Sequence, residues 1–172
     1  MLIFVRLIER ITGSVGLIAA WVVVPLIGAT VYEVFARYVL NAPTLWAYEV
    51  GYMAMGTNFL LGMALTLREG AHIRIDVLYS HFGPKTKALV NLFGYTVLLL
   101  PTACWLSLHL WDYAYGAYLS GETSGESAWN PVVWPFRLVF FSGFLLLAAQ
   151  GIVEVIKTLY ILSGKPLPER AA

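Results

Sequence analysis

The chain has 172 residues, 59% of them hydrophobic and only 12% charged, with a net charge of +1. A soluble domain carries about 25% charged residues and a chain this short could not hide so much apolar surface, so the solvent for most of it is lipid. Nothing in the charge or its distribution points to nucleic acid, and a single cysteine, Cys104, excludes an intrachain disulfide, a CxxC redox pair and a cysteine-based zinc site.

A bilayer core of about 30 Å needs roughly 20 apolar residues of helix. Four windows qualify, at about 12–34, 46–67, 88–110 and 132–156. Lipid requires each to be helical, because backbone groups must be satisfied within the segment. The expected fold is therefore an all-α integral membrane protein, a single membrane domain over 1–172 with four transmembrane helices. Pro25 and Pro101 are expected to kink the first and third helices. The first span is too long for a cleaved signal core and is read as a retained anchor.

Basic residues set the orientation. Nine of the eleven fall before the first span, between the second and third, or after the fourth: Arg6, Arg10, Arg68, Arg74, Lys85, Lys87, Lys157, Lys165 and Arg170. Only Arg37 and Arg137 fall on the other side. Both termini and the 68–87 loop are thus expected to be cytoplasmic. The 112–130 loop, with three acids and no base, suits the external face.

The 68–87 stretch, "REGAHIRIDVLYSHFGPKTK", is the most polar run between spans. A metal site there would use His72, His81 and Asp76. That spacing matches no recognised ligand pattern, and "HIRIDV" alternates in a way that suits an extended segment as well as a helix. A charged loop at the membrane surface accounts for it without a metal.

Ionisable groups in or near a span are costly and mark candidate sites. Glu33 and Arg37, four apart at the outer end of the first helix, can pair on one face. Glu49 lies in the first turn of the second span, where a carboxylate favours the helix dipole. Thr44 is a candidate N-cap and Trp46 an interfacial anchor. Across the short turn between them, Arg37 is placed to reach Glu49. Arg137 either snorkels to the outer headgroups or pairs. Asn58 and Gln150 sit deeper, as interhelical hydrogen-bonding groups. Ala47 and Gly51 offer one close-packing strip. Trp105, Trp111, Trp129 and Trp134, with Tyr113, Tyr115 and Tyr118, read as an aromatic belt. His72 and His81 lie in the loop, so no pair of histidines faces across the bundle to hold a haem, and no cofactor is expected. No span shows a midplane charge pair, a break or an inverted repeat of the kind that builds a transporter's substrate site.

The ordered set "ARYVLNAPTLWAYEV", "REGAHIRIDVLY" with its Gly-x-His-x-x-x-Asp pattern, and "SAWNPVVWPFR" leading to "LLLAAQGIVEVI" resembles the small membrane subunit of tripartite ATP-independent periplasmic (TRAP) transporters. The resemblance covers nearly the whole chain. It implies an inner-membrane, multi-pass scaffold that binds neither sodium nor substrate itself. A large membrane subunit would move an organic acid with sodium, and a periplasmic binding protein would deliver it. On this reading Glu33, Arg37, Trp46, Glu49, His72 and Asp76 brace the chain's own turns or contact the large subunit. The competing reading is a small autonomous proton-coupled exporter, four helices acting as a dimer, with Glu33 or Glu49 as carrier. A membrane enzyme lacks a nucleophile with a nearby base or a redox pair.

Overall fold

A computed structural model describes residues 2–72, 79 and 81–164. Its helices are α1 (Leu2–Trp21), α2 (Val23–Tyr38), α3 (Ala47–Arg68), α4 (Pro84–Phe93), α5 (Leu100–Ser120) and α6 (Trp134–Leu162). A π-helical turn, Gly94–Leu99, joins α4 to α5. Joined end to end, they form four helices long and apolar enough to cross a membrane: Ile3–Tyr38, Ala47–Arg68, Pro84–Ser120 and Trp134–Leu162.

Three of the four outrun their apolar windows by a turn or more. Hydropathy marks where lipid contact begins, whereas a helix ends only where its hydrogen-bond ladder does. In α1 the ladder continues through "RLIER" because that segment has something to bury. Val5, Glu9, Thr12, Gly16 and Ala19 recur at four- and three-residue steps, and all five are buried on one stripe.

Both prolines act on their helices in identifiable ways. The first span is interrupted at Val22, three residues before Pro25, whose ring and missing N–H disturb the preceding turn. There Asn58 of α3 donates to the Ala19 carbonyl at 2.7 Å, supplying a partner beside the interruption. Ahead of Pro101 the helix widens into the π turn, and the Leu100 N–H donates to the Tyr95 carbonyl five residues back. The widened turn makes room for the proline without breaking the span.

Packing follows small residues. The central pair is α3 and α6; α1 and α2 lie on α3, and α4, the π turn and α5 lie on α6, with α1 also reaching α6. A Cβ built on Gly143 of α6 would stand 2.7 Å from the Leu60 carbonyl oxygen of α3, so only glycine admits this approach. One built on Gly16 of α1 would stand 2.5 Å from Leu65 Cδ2 of α3. The buried stripe of α5 is Ala103, Ser107, Ala114 and Ala117. Lipid tails are as apolar as leucine, so close backbone approach and polar contacts hold the helices together in place of a hydrophobic drive. Ala47 is buried, but Gly51 has only an ordinary 3.9 Å neighbour in Leu26. The closest packing lies elsewhere.

Candidate functional site

The polar groups gather at the two ends of the bundle. At the end carrying the 39–46 and 121–133 connections, three charged centres tie loops to helices. Glu33 of α2 accepts from Arg37 Nε at 2.9 Å and Nη2 at 2.5 Å through one carboxylate oxygen. Its other oxygen accepts from the Thr44 backbone N–H at 2.9 Å and from the Thr44 hydroxyl. Thr44 Oγ1 in turn accepts weakly from the Ala47 N–H at 3.3 Å, at the start of α3. Trp46 stacks on Tyr32 with ring centroids 6.0 Å apart. One carboxylate thus closes the turn between the first two spans.

Glu49 is fully buried in the first turn of α3. It accepts from the Ser127 hydroxyl and, at 3.5 Å, from the Tyr52 hydroxyl. Ser127 Oγ also accepts from the Trp129 N–H at 3.1 Å, so one hydroxyl organises the loop tip and pins it to α3. The loop itself is a short hairpin with an antiparallel bridge between Thr123 and Val132. Asn130, at φ 47, turns its side-chain oxygen to the Gly125 N–H at 2.7 Å. Behind it, Arg137 of α6 makes a two-pronged ion pair with Glu122 and lies 3.6 Å from the centroid of the Tyr113 ring. Of the sequence alternatives for Arg137, pairing is what the chain adopts.

Arg37 is therefore held by Glu33, and Glu49 by Ser127 and Tyr52; the direct Arg37–Glu49 pair expected from the short turn does not form among the described residues. Each carboxylate has its own loop. A 330 Å³ cleft opens beside this cluster, lined by Tyr48, Tyr52, Tyr113, Glu126, Phe136 and Arg137 among others.

The opposite end holds a second set that sequence reasoning largely missed. Lys157 Nζ of α6 lies 2.5 Å from Glu9 of α1 and 2.9 Å from Glu154, one turn back on its own helix. Gln150 donates to Glu154 at 2.9 Å and accepts from the Thr12 hydroxyl at 3.1 Å. Glu9, Thr12 and Gln150 are fully buried. This ladder fastens the first span to the last across 138 residues at its Thr12–Gln150 rung. Of its members, only Gln150 stands out in the sequence.

At that same end His72 is exposed, and Tyr79 exchanges hydrogen bonds with Asn91 at 3.0 and 3.2 Å. Asp76 lies outside the described residues. Among the described residues, no group of three or more histidine, cysteine, aspartate or glutamate side chains is gathered as metal ligands would be.

Residues 26–160 match the family model described as "Tripartite ATP-independent periplasmic transporters, DctQ component". No curated protein and no solved structure matches the chain.

Proposed function

Because the chain belongs to the DctQ component of the tripartite ATP-independent periplasmic transporters, it is the small membrane subunit of such a transporter, and we propose that it serves as a rigid scaffold. It is an inner-membrane transport component and not an enzyme. Its partners on this reading are a large permease subunit, which carries out the movement, and a periplasmic binding protein that delivers an organic acid anion. A sodium gradient drives the uptake. Both termini and the 68–87 loop face the cytoplasm.

One observation carries the scaffold role. Among the described residues, the four buried or half-buried carboxylates on the helices are all engaged in ties within the chain. Glu33 closes the turn between the first two spans and Glu49 anchors the hairpin between the last two. Glu9 and Glu154 share Lys157. A coupling carboxylate must exchange a cation or proton with each cycle, and these four hold the helices in place instead. Each of the three sets sits at an end of the bundle, where it fixes loop and helix positions for a partner to meet.

The test is reconstitution. The chain alone in liposomes is expected to give no sodium- or proton-driven flux. Adding the large subunit and a ligand-loaded binding protein is expected to give sodium-dependent accumulation. Transport by the isolated chain that vanishes with Glu33→Gln or Glu49→Gln would replace the scaffold with the autonomous exporter.

A further inference from the structure

A groove of about 910 Å³ runs along the bundle where α4, the π turn and α5 lean on α6. Its volume falls in the roughly 300–1,000 Å³ range of ligand sites. Leu98, Leu99, Ala103, Phe144 and Leu147 form an apolar bed, and the groove's polar side chains apart from Thr102 and Tyr95 are His72, Tyr79 and Asn91. Those three sit together at one end. There the Lys87 ammonium lies 5.4 Å from the centroid of the Tyr79 ring, and Lys85 is exposed nearby on the same helix.

The length of the groove says what fits it. From Asn91 to Ala103 a helix rises about 18 Å at 1.5 Å per residue. One leaflet of hydrocarbon is about half of the 30 Å core, roughly 15 Å. The groove is therefore about as long as one leaflet is thick, and its polar end beside Lys87 marks the headgroup side. A transmembrane partner helix would need an apolar seam continuing through the second leaflet. An acyl chain needs only this one. Basic pockets between transmembrane helices are where acidic headgroups settle, since each nearby lysine or arginine attracts the anionic surface.

We propose that this groove is a binding site for an anionic membrane phospholipid, with an acyl chain along the π turn and the phosphate at the His72–Lys87 rim. The π turn is what shapes it. Gly94 opens the wall, with no atom within 4 Å of where its Cβ would lie. The proposal stands apart from the identity of the transported solute and of the other subunits.

The test is native mass spectrometry of the full chain, released from detergent after equilibration with equal amounts of dioleoyl-phosphatidylglycerol and dioleoyl-phosphatidylcholine. The wild-type chain is expected to retain phosphatidylglycerol with a preference of about fivefold or more, the scale of one engaged lysine. Gly94→Leu, which fills the groove from a position with free space, is expected to lose that adduct. Gly116→Leu, equally free of neighbours but remote from the groove, is expected to keep it. Lys87→Gln is expected to bring the two lipids to parity while leaving total lipid retention unchanged. Equal retention of both lipids by the wild type, or an unchanged preference in Gly94→Leu, would overturn the site. So would efficient crosslinking of Leu98→Cys, in a Cys104→Ser background, to the large subunit of an assembled transporter that carries no phosphatidylglycerol, because a protein helix would then be the occupant.

Discussion

Ser127, in the hairpin between the third and fourth spans, donates its hydroxyl to Glu49, which is fully buried at the head of the second. The two residues are 78 apart in sequence, and the bond ties the hairpin down onto α3. Because Ser127 Oγ also receives the Trp129 N–H, one atom takes part both in the loop's own fold and in its docking.

Ser127→Ala is therefore expected to free the hairpin without unfolding the helices. Limited proteolysis should cut the 121–133 segment faster in the variant, while far-ultraviolet circular dichroism stays unchanged. Glu49→Gln should expose the same segment at least as much, and adding Ser127→Ala to it should add little, since the Ser127–Glu49 bond is already altered. Cleavage that simply adds would mean that the two residues act separately.

A charge swap of Arg37→Glu with Glu49→Arg is expected to bring no rescue. Each residue has a different partner, Glu33 for Arg37 and Ser127 for Glu49. The swap sets a second carboxylate, at position 37, beside Glu33 and puts a guanidinium in the buried pocket under the hairpin. Recovery of assembly in the double variant, measured as co-purification with the large subunit, would show coupling that the geometry lacks.

Lys157→Met should be among the most harmful single changes on α6. Removing one partner of a buried ion pair costs about 3–5 kcal/mol because the remaining charge is left without compensation. Here it deprives Glu9 and Glu154 of the cation they share. Thermal unfolding in detergent should show the loss, and adding Glu9→Met should recover part of it, since an apolar pair tolerates burial that a carboxylate deprived of its cation does not. A silent Lys157→Met would show that the ladder contributes nothing to holding the first and last spans together.

Gly143→Val is expected to cost about 1–3 kcal/mol, the usual range for overpacking. The neighbour it meets is the Leu60 backbone carbonyl, which cannot rotate away as a side chain would. Gly28→Val is the control, since nothing lies within 4 Å of its Cβ position. Size-exclusion chromatography should separate an unstable, polydisperse Gly143→Val protein from a well-behaved Gly28→Val one.

The orientation is checked by labelling from outside the cell in a Cys104→Ser background. Ala128→Cys, in the exposed hairpin between the third and fourth spans, is expected to react with an impermeant maleimide. Thr86→Cys and Ser163→Cys are expected to react only after the membrane is opened. Labelling of position 86 in intact cells would invert the topology.

The spans were legible because lipid contact writes itself into composition: twenty apolar residues in a row have few other uses. The Glu33–Arg37 spacing was legible for a similar reason, since i, i+4 is a local geometry that any helix realises. What could not be read was anything that depends on which ends meet. Glu9 sits before the first apolar window, among Arg6 and Arg10, and looks like part of a solvated flank. In the folded bundle it is fully buried and faces Lys157 of α6. Ser127 has no feature that marks it in the sequence until the hairpin folds over Glu49. The helix ends ran past the windows because buried stripes such as Val5–Glu9–Thr12 continue beyond the lipid, and the small residues that carry the packing were scattered through windows in which leucine would score as well.

The ladder between Glu9 and Lys157 has a consequence for how the chain comes to exist. Its two halves are made at opposite ends of synthesis, and a ribosome adding about 5–20 residues per second needs roughly 7–30 s to travel from one to the other. For that interval the first helix is already in or at the membrane with a carboxylate whose Lys157 partner has not yet been translated. Until Lys157 emerges, the Glu9 carboxylate lacks the ammonium that lies 2.5 Å from it in the finished bundle. The last helix thus completes the seating of the first, and a nascent chain arrested before residue 157 should leave its N-terminal span accessible to the membrane's quality-control proteases.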